Sequence, residues 1–129
     1  MSRWTPGRDD QAVTALGWLR VGLGVVALVA PSVPARPWVG GDATRPSVKT
    51  LARALGARDV ALGLGTVLAR RHGAPVRGWL EGSALADAGD AVATLFGWRS
   101  RPTLGRLAVL AAASGGAAAC SVLARRVAA

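Results

Sequence analysis

The chain has 129 residues, of which 51% are hydrophobic and only 18% are charged, and its mean hydropathy is +0.34. An average soluble domain carries about 25% charged residues, and a soluble domain of this length has too little interior to bury so much apolar surface. A bilayer removes that limit. The composition therefore argues against a soluble globular protein and predicts one integral membrane domain over residues 1–129.

The net charge of +9 raises the question of nucleic-acid binding. The basic residues lie in short clusters between apolar runs, with no basic stripe and no nucleic-acid motif. Such clusters are typical of loops that anchor membrane helices, so the bilayer is the expected partner and nucleic acid is not. One Lys beside fifteen Arg suggests a GC-rich, bacterial genome. The lone Cys120 rules out an internal disulfide, and neither a metal nor a cofactor is predicted.

Four apolar runs predict helices over 12–30, 48–70, 78–97 and 103–126. At about 1.5 Å per residue, each run is long enough to cross a hydrocarbon core of about 30 Å. The second and third runs contain several charges, so hydropathy favours them less than the first and fourth. The expected fold is an all-α, four-transmembrane-helix bundle. Residues 31–46 hold four of the seven prolines and are expected to form the longest loop, with Ser47 as the N-cap of the second helix.

Four spans place both termini and the second loop on the same side. Seven basic residues lie on that side and five on the other, so both termini are predicted to be cytoplasmic in a multi-pass protein of the cell membrane. A cleaved signal peptide is the alternative for the first run. Asp9, Asp10 and the interrupting Arg20 argue against it.

Three charges lie near the middle of the first three runs: Arg20, Asp59 and Asp87. A charge that faces lipid at this depth costs at least about 2.5 kcal/mol. We therefore expect these side chains to be buried against one another inside the bundle.

Each of the first three helices has one face of small and polar residues, which lets backbones approach closely and polar groups bond between helices. The first face steps by 3, 4 and 3 residues, and the second repeats those steps 39 residues later. The faces are Gly17, Arg20, Gly24 and Ala27; Gly56, Asp59, Gly63 and Thr66; Ser83, Asp87, Asp90 and Thr94. The fourth helix offers Ala112, Gly115 and Ala119, a packing face without charge. Five glycines are thus predicted to be packing positions: Gly17, Gly24, Gly56, Gly63 and Gly115.

The polar faces predict a buried cluster of Arg20, Arg58, Asp59, Asp87 and Asp90. Arg20 is the natural partner of a carboxylate, while Arg58, rotated about 100° from Asp59, can reach a neighbouring helix, a lipid headgroup or the same cluster. If all five ionise, one negative charge is left over. Either one carboxyl keeps a proton or a cationic group binds, and Asp87 and Asp90, one turn apart, can share a proton.

The stretches "LGARDVALGLGTVLARRHG" and "WLEGSALADAGDAVATL" resemble a domain family of unknown function, made of small four-helix membrane proteins of bacteria and fungi. The matching positions are Gly56, Arg58, Asp59, Leu62, Gly63 and Asp90. More distantly, the chain is similar to DoxX-type bundles, some of which are quinone-linked or accessory redox subunits. The resemblance implies the fold and the importance of the Arg–Asp pair. It supplies no reaction, and no residues here match a quinone or haem site.

Three functions stay open at this stage, and none identifies a reaction; a non-enzymatic role is favoured. The first is a midplane pocket for a lipophilic small molecule with a polar head. The second is a non-catalytic accessory or assembly subunit, in which the charges are structural and the fourth helix contacts a partner or a second copy. The third is a proton-coupled transporter, which would need an oligomer to form a full pathway.

Overall fold

The computed structural model describes residues 7–97 and 103–127, and these residues form helices without any strand. The prediction of an all-α fold is therefore confirmed. The helices are α1 (Arg8–Val29), α2 (Ser32–Val39), α3 (Pro46–Arg71), α4 (Arg77–Phe96) and α5 (Thr103–Val127), with a short 3-10 helix at Gly40–Thr44.

The prediction of one long loop over 31–46 is wrong, since this segment forms α2 and the 3-10 helix. Pro34 lies in the first turn of α2, where the backbone N–H groups have no partner within the helix and a proline loses nothing. The N-cap prediction also fails. Helix α3 begins at Pro46, whose fixed φ suits a first helical position, so Ser47 lies inside the helix and Arg45 precedes it.

Two of the long helices, α1 and α5, are long and apolar enough to cross a membrane, each with a mean hydropathy of 1.9 over its best window. Helices α3 and α4, with 26 and 20 residues, have comparable lengths. Both contain charges near their middle, which lower their hydropathy. The described residues therefore contain two candidate membrane spans by length and composition.

Helices α1 and α3 run antiparallel with their backbones in contact. Gly17 lies opposite Gly63, and Gly24 lies opposite Gly56. A Cβ atom added to Gly24 would come within 2.5 Å of the Gly56 carbonyl oxygen, and one added to Gly63 would come equally close to the carbonyl oxygen of Gly17. Only glycine permits this separation, so the repeated small-residue faces of the first two predicted spans meet each other.

Helices α4 and α5 form the second closely packed pair. The inner face of α5 contains Ala113, Cys120 and Leu123, which are buried. Between them, Gly116 lies against the Asp87 carboxylate, where a side chain would collide with it. The charge-bearing face of α4 is thus covered by a helix that supplies room for a carboxylate.

The predicted packing face of the fourth helix does not pack inside the bundle. Ala112, Gly115 and Ala119 are exposed, and Gly115 has open space where its side chain would be. Small residues occur all around this helix, so they do not define its inner face. The larger Leu123 and the need for space beside Asp87 turn a different face inwards.

Apolar contacts join the two helix pairs at the end where α1 and α4 begin and α3 and α5 end, which we call the terminal end. Six buried residues from all four long helices and the turn before α4 meet there: Val13, Ala69, Val76, Leu80, Leu123 and Ala124. At the opposite end α2 packs beside the bundle, and Trp38 Nε1 donates a hydrogen bond to Thr94 Oγ1 at 3.0 Å. The middle of the bundle is joined differently, by charged side chains.

The glycine contact predicts that an alanine substitution lowers stability at Gly63 but not at Gly22. Gly63→Ala should lower the free energy of unfolding by about 1–3 kcal/mol, because its new methyl group would press on the α1 backbone. Gly22→Ala, on the open side of α1, should be neutral or stabilising by up to about 1 kcal/mol, because Ala is the better helix former. Unfolding followed by circular dichroism in detergent measures both. Equal transitions in the two variants would contradict the backbone contact.

Candidate functional site

Five charged side chains form one continuous set of ion pairs in the middle of the bundle, which we call the central ion-pair chain. Its order is Asp87, Arg20, Asp59, Arg58 and Asp90. Negative and positive groups alternate, and the chain connects α1, α3 and α4. The structure thus brings together all five residues that the sequence places in a buried polar cluster.

Arg20 connects both helix pairs. Its Nη1 donates to Asp59 Oδ1 on α3 at 2.9 Å, and its Nη2 donates to the Asp87 carboxylate and to the Ser83 carbonyl oxygen on α4, the latter at 3.2 Å. The side chain is only 12% exposed. A guanidinium suits this position because its planar fork can serve several acceptors at once.

Arg58 turns towards α4 and makes a two-pronged contact with Asp90. Nη1 donates to Oδ1 at 3.1 Å, and Nη2 donates to Oδ2 at 2.8 Å. Nη2 also lies 3.2 Å from Asp59 Oδ1, so Arg58 belongs to the same cluster. The sequence left three partners open for Arg58: a neighbouring helix, a lipid headgroup or the same cluster. In the structure Arg58 contacts both the neighbouring helix and the cluster, which explains why Arg58 and Asp59 are adjacent in the sequence.

The central ion-pair chain is buried at one end and partly open at the other. Arg20 and Asp87 are 12% and 13% exposed, whereas Arg58 and Asp90 are 30% and 25% exposed. Asp87 and Asp90 each have their own guanidinium, so the structure gives no support to a proton shared between those two. With all groups ionised, the set still carries one excess negative charge.

The open end of the chain lies where α3 meets α4, a narrow contact that we call the α3/α4 seam. Towards the terminal end the ring of Trp79 covers Gly65, and Leu62 lies against Gly82. Further along, the Arg58–Asp90 pair also joins the two helices. This pair is partly exposed at the seam, where α3 and α4 make few contacts.

A second set of ion pairs, at the terminal end, was not predicted. Arg126 Nη1 donates to Asp9 Oδ1 at 2.9 Å, and Arg70 pairs with Asp10. In the sequence, Asp9 and Asp10 argue only against a signal peptide. A usable signal was present, because acidic residues at the start of the first helix and arginines at the ends of the second and fourth must meet in an up-and-down bundle.

Two cavities lie at this terminal end and not beside the central ion-pair chain. One has a volume of about 300 Å³ and is lined by residues of α1, α3, α4, α5 and the turn before α4. The other, of about 530 Å³, lies between the start of α1 and Arg70. Neither contains a residue of the central ion-pair chain in its lining.

In the part of the chain that the structure describes, no three His, Cys, Asp or Glu side chains lie together in a group that could hold a metal ion. His72 is exposed and lies at the end of α3. Its Nδ1 is 2.8 Å from the Leu68 carbonyl oxygen, so its ring helps to close the last turn of that helix.

The sequence matches no family model, and comparisons with curated proteins and with solved structures find no similar protein. The resemblance to small four-helix membrane proteins therefore stays a prediction. Function has to be inferred from geometry and charge.

The buried end of the central ion-pair chain should be important for stability. Asp87→Asn should lower the free energy of unfolding by about 2 kcal/mol, because it removes a charge from a buried pair and weakens the acceptor of Arg20. Glu81→Gln, on the same helix in an exposed pair with Arg77, should change it by less than about 0.5 kcal/mol. Chemical unfolding in detergent compares them, and a neutral Asp87→Asn would disprove the structural importance of this pair.

Proposed function

We propose that this is an integral membrane protein in which all four long helices cross the bilayer, with both termini in the cytoplasm. We further propose that it binds the polar head of a lipophilic small molecule at the open end of the central ion-pair chain. On this proposal the protein is a binding protein and not an enzyme.

The placement of the charges supports a bilayer location for α3 and α4. The charges in the middle of these helices are paired across the bundle, which is the arrangement expected of ionisable groups inside a membrane. Apart from the charged residues nearer the helix ends, such as Arg53 and Glu81, their exposed residues are mostly apolar. The large exposed hydrophobic residues of α3 and α4 are Leu51, Leu64, Leu68, Trp79, Leu85, Val92, Leu95 and Phe96.

The observation that carries the binding proposal is the partial exposure of Arg58 and Asp90 at the α3/α4 seam. In a bilayer, this position faces hydrocarbon, where an open ion pair attracts any polar group that a lipophilic molecule can bring. Arg20 and Asp87, which are less exposed, hold the other members of the central ion-pair chain in place. The site is therefore preorganised from inside and open from the side.

The net charge of the central ion-pair chain indicates which polar head of a lipophilic molecule it would accept. One excess negative charge favours a group that donates a hydrogen bond or is positively charged, such as a hydroxyl or an amine. Asp90 would accept that hydrogen bond. Arg58 can use its guanidinium to orient an oxygen of the same molecule.

The proposed topology has a direct test with two single cysteines in a Cys120→Ala background. Gly41→Cys lies between α1 and α3, and Ala74→Cys lies between α3 and α4. If α3 crosses the membrane, a membrane-impermeant thiol reagent added to intact cells will label Gly41→Cys and not Ala74→Cys. If only α1 and α5 cross, the two positions lie on the same side and will label alike, which would overturn the four-span topology.

Ligand binding is tested by native mass spectrometry of the protein extracted gently from its own membrane. We expect a small molecule of fixed mass on the wild-type chain and a loss of most of it in Asp90→Asn. Glu81→Gln, which removes a charge of the same type from the same helix outside the seam, should retain it. A wild-type chain without any bound small molecule would contradict the proposal.

A second candidate is a non-catalytic subunit of a membrane complex. It is favoured by the outward face of α5, where Ala111, Ala112, Gly115 and Ala119 are exposed and would permit close approach of another helix. In this case the central ion-pair chain only fixes the bundle. The same mass spectrum distinguishes the candidates, because a subunit would be recovered with a second polypeptide or a second copy of itself.

A further inference from the structure

The smaller cavity at the terminal end brings together arginines from three helices. Arg70 of α3, Arg77 of α4 and Arg126 of α5 all line a space of about 300 Å³, and Asp10 is the one acidic residue in its lining. The volume is of the size that holds a small polar group. Each guanidinium already pairs with a carboxylate, Arg70 with Asp10, Arg77 with Glu81 and Arg126 with Asp9, so an anion would be held by the donors that these pairs leave unused.

Two of these arginines, Arg70 and Arg77, keep hydrogen-bonding capacity for a ligand. Arg77 contacts Glu81 through Nε at 2.7 Å, and its two terminal nitrogens make no hydrogen bond within the described residues. Arg70 uses one terminal nitrogen for Asp10. The existing ion pairs therefore hold two of the guanidinium groups in position while leaving donors that suit the oxygens of a phosphate.

The backbone at the cavity includes the uncapped start of α4. The turn after α3 includes Gly73, whose φ of 65° suits glycine, and it leads directly into α4. Helix α4 begins at Arg77 without a side-chain cap, so its first N–H groups have no side-chain acceptor. The positive end of the α4 dipole lies at this cavity, and so do the negative ends of α3 and α5.

We propose that this cavity binds a phosphate group, and specifically the phosphate of an anionic phospholipid headgroup. The choice of a lipid rests on the proposed membrane location, which places the helix ends at the level of the headgroups.

Titration of the full chain in a neutral detergent, read by native mass spectrometry, tests the assignment. Three probes are compared: phosphatidylglycerol, phosphatidylcholine with the same acyl chains, and inorganic phosphate. The test variant is Arg77→Gln, whose ion pair is exposed, so its loss should not unfold the bundle. The control is Arg36→Gln, an exposed arginine of α2 at the opposite end.

We expect one phosphatidylglycerol to bind more tightly than phosphatidylcholine, with about tenfold weaker binding in Arg77→Gln and unchanged binding in Arg36→Gln. Equal loss in both variants, or equal affinity for both lipids, would overturn the site. Inorganic phosphate that binds as tightly as phosphatidylglycerol, with the same sensitivity to Arg77→Gln, would overturn the lipid assignment and name a soluble phosphate instead.

The outcome is separable from that of the proposed function. Arg77 lies outside the central ion-pair chain, so failure of this site would leave binding at Arg58 and Asp90 untouched. Conversely, loss of the small molecule in Asp90→Asn should leave the phosphatidylglycerol titration unchanged. The labelling of Gly41→Cys and Ala74→Cys decides the membrane topology without reference to either ligand.

Discussion

The arrangement of the bundle depends on the ion pairs that the guanidinium of Arg20 makes with Asp59 and Asp87. This guanidinium holds a carboxylate of α3 and another of α4, and it lies where water has little access. A charge in such a place is tolerated only when it is paired with good geometry, and removing one partner is costly. The helices must therefore approach closely enough for one side chain to reach both neighbours.

Glycine makes that approach possible. The contacts Gly17–Gly63 and Gly24–Gly56 lie on either side of the Arg20–Asp59 pair. They bring the two backbones together above and below it, so the short distance between guanidinium and carboxylate follows from the backbone contact. Packing and charge pairing thus support each other in α1 and α3, which explains why the same spacing of glycine, charge and glycine occurs in both.

The spacing of residues was enough to predict the inner faces of α1, α3 and α4, because each face combines glycine with a charge that has to be buried. It was not enough for α5, where alanine and glycine surround the helix and only the contacts with Asp87 and the terminal core decide which side is inside. The partner of Arg58 could not be predicted either, because a long side chain can reach several groups and the position of the neighbouring helix decides which one it contacts. The prolines of residues 31–46 did not predict a loop, because Pro34 suits the first turn of α2 and Pro46 the first position of α3, while Pro37 is tolerated inside α2.

The two carboxylates of α4 also set the position of that helix along its own axis. Asp87 meets a cation from α1 and Asp90 meets a cation from α3, so α4 is matched to both members of the other pair at once. Sliding α4 by one turn, about 5.4 Å, would leave one carboxylate without a cation and one guanidinium without a carboxylate. Apolar helices packed through small residues have little that prevents such a slip. Here the register of the bundle is fixed by charge.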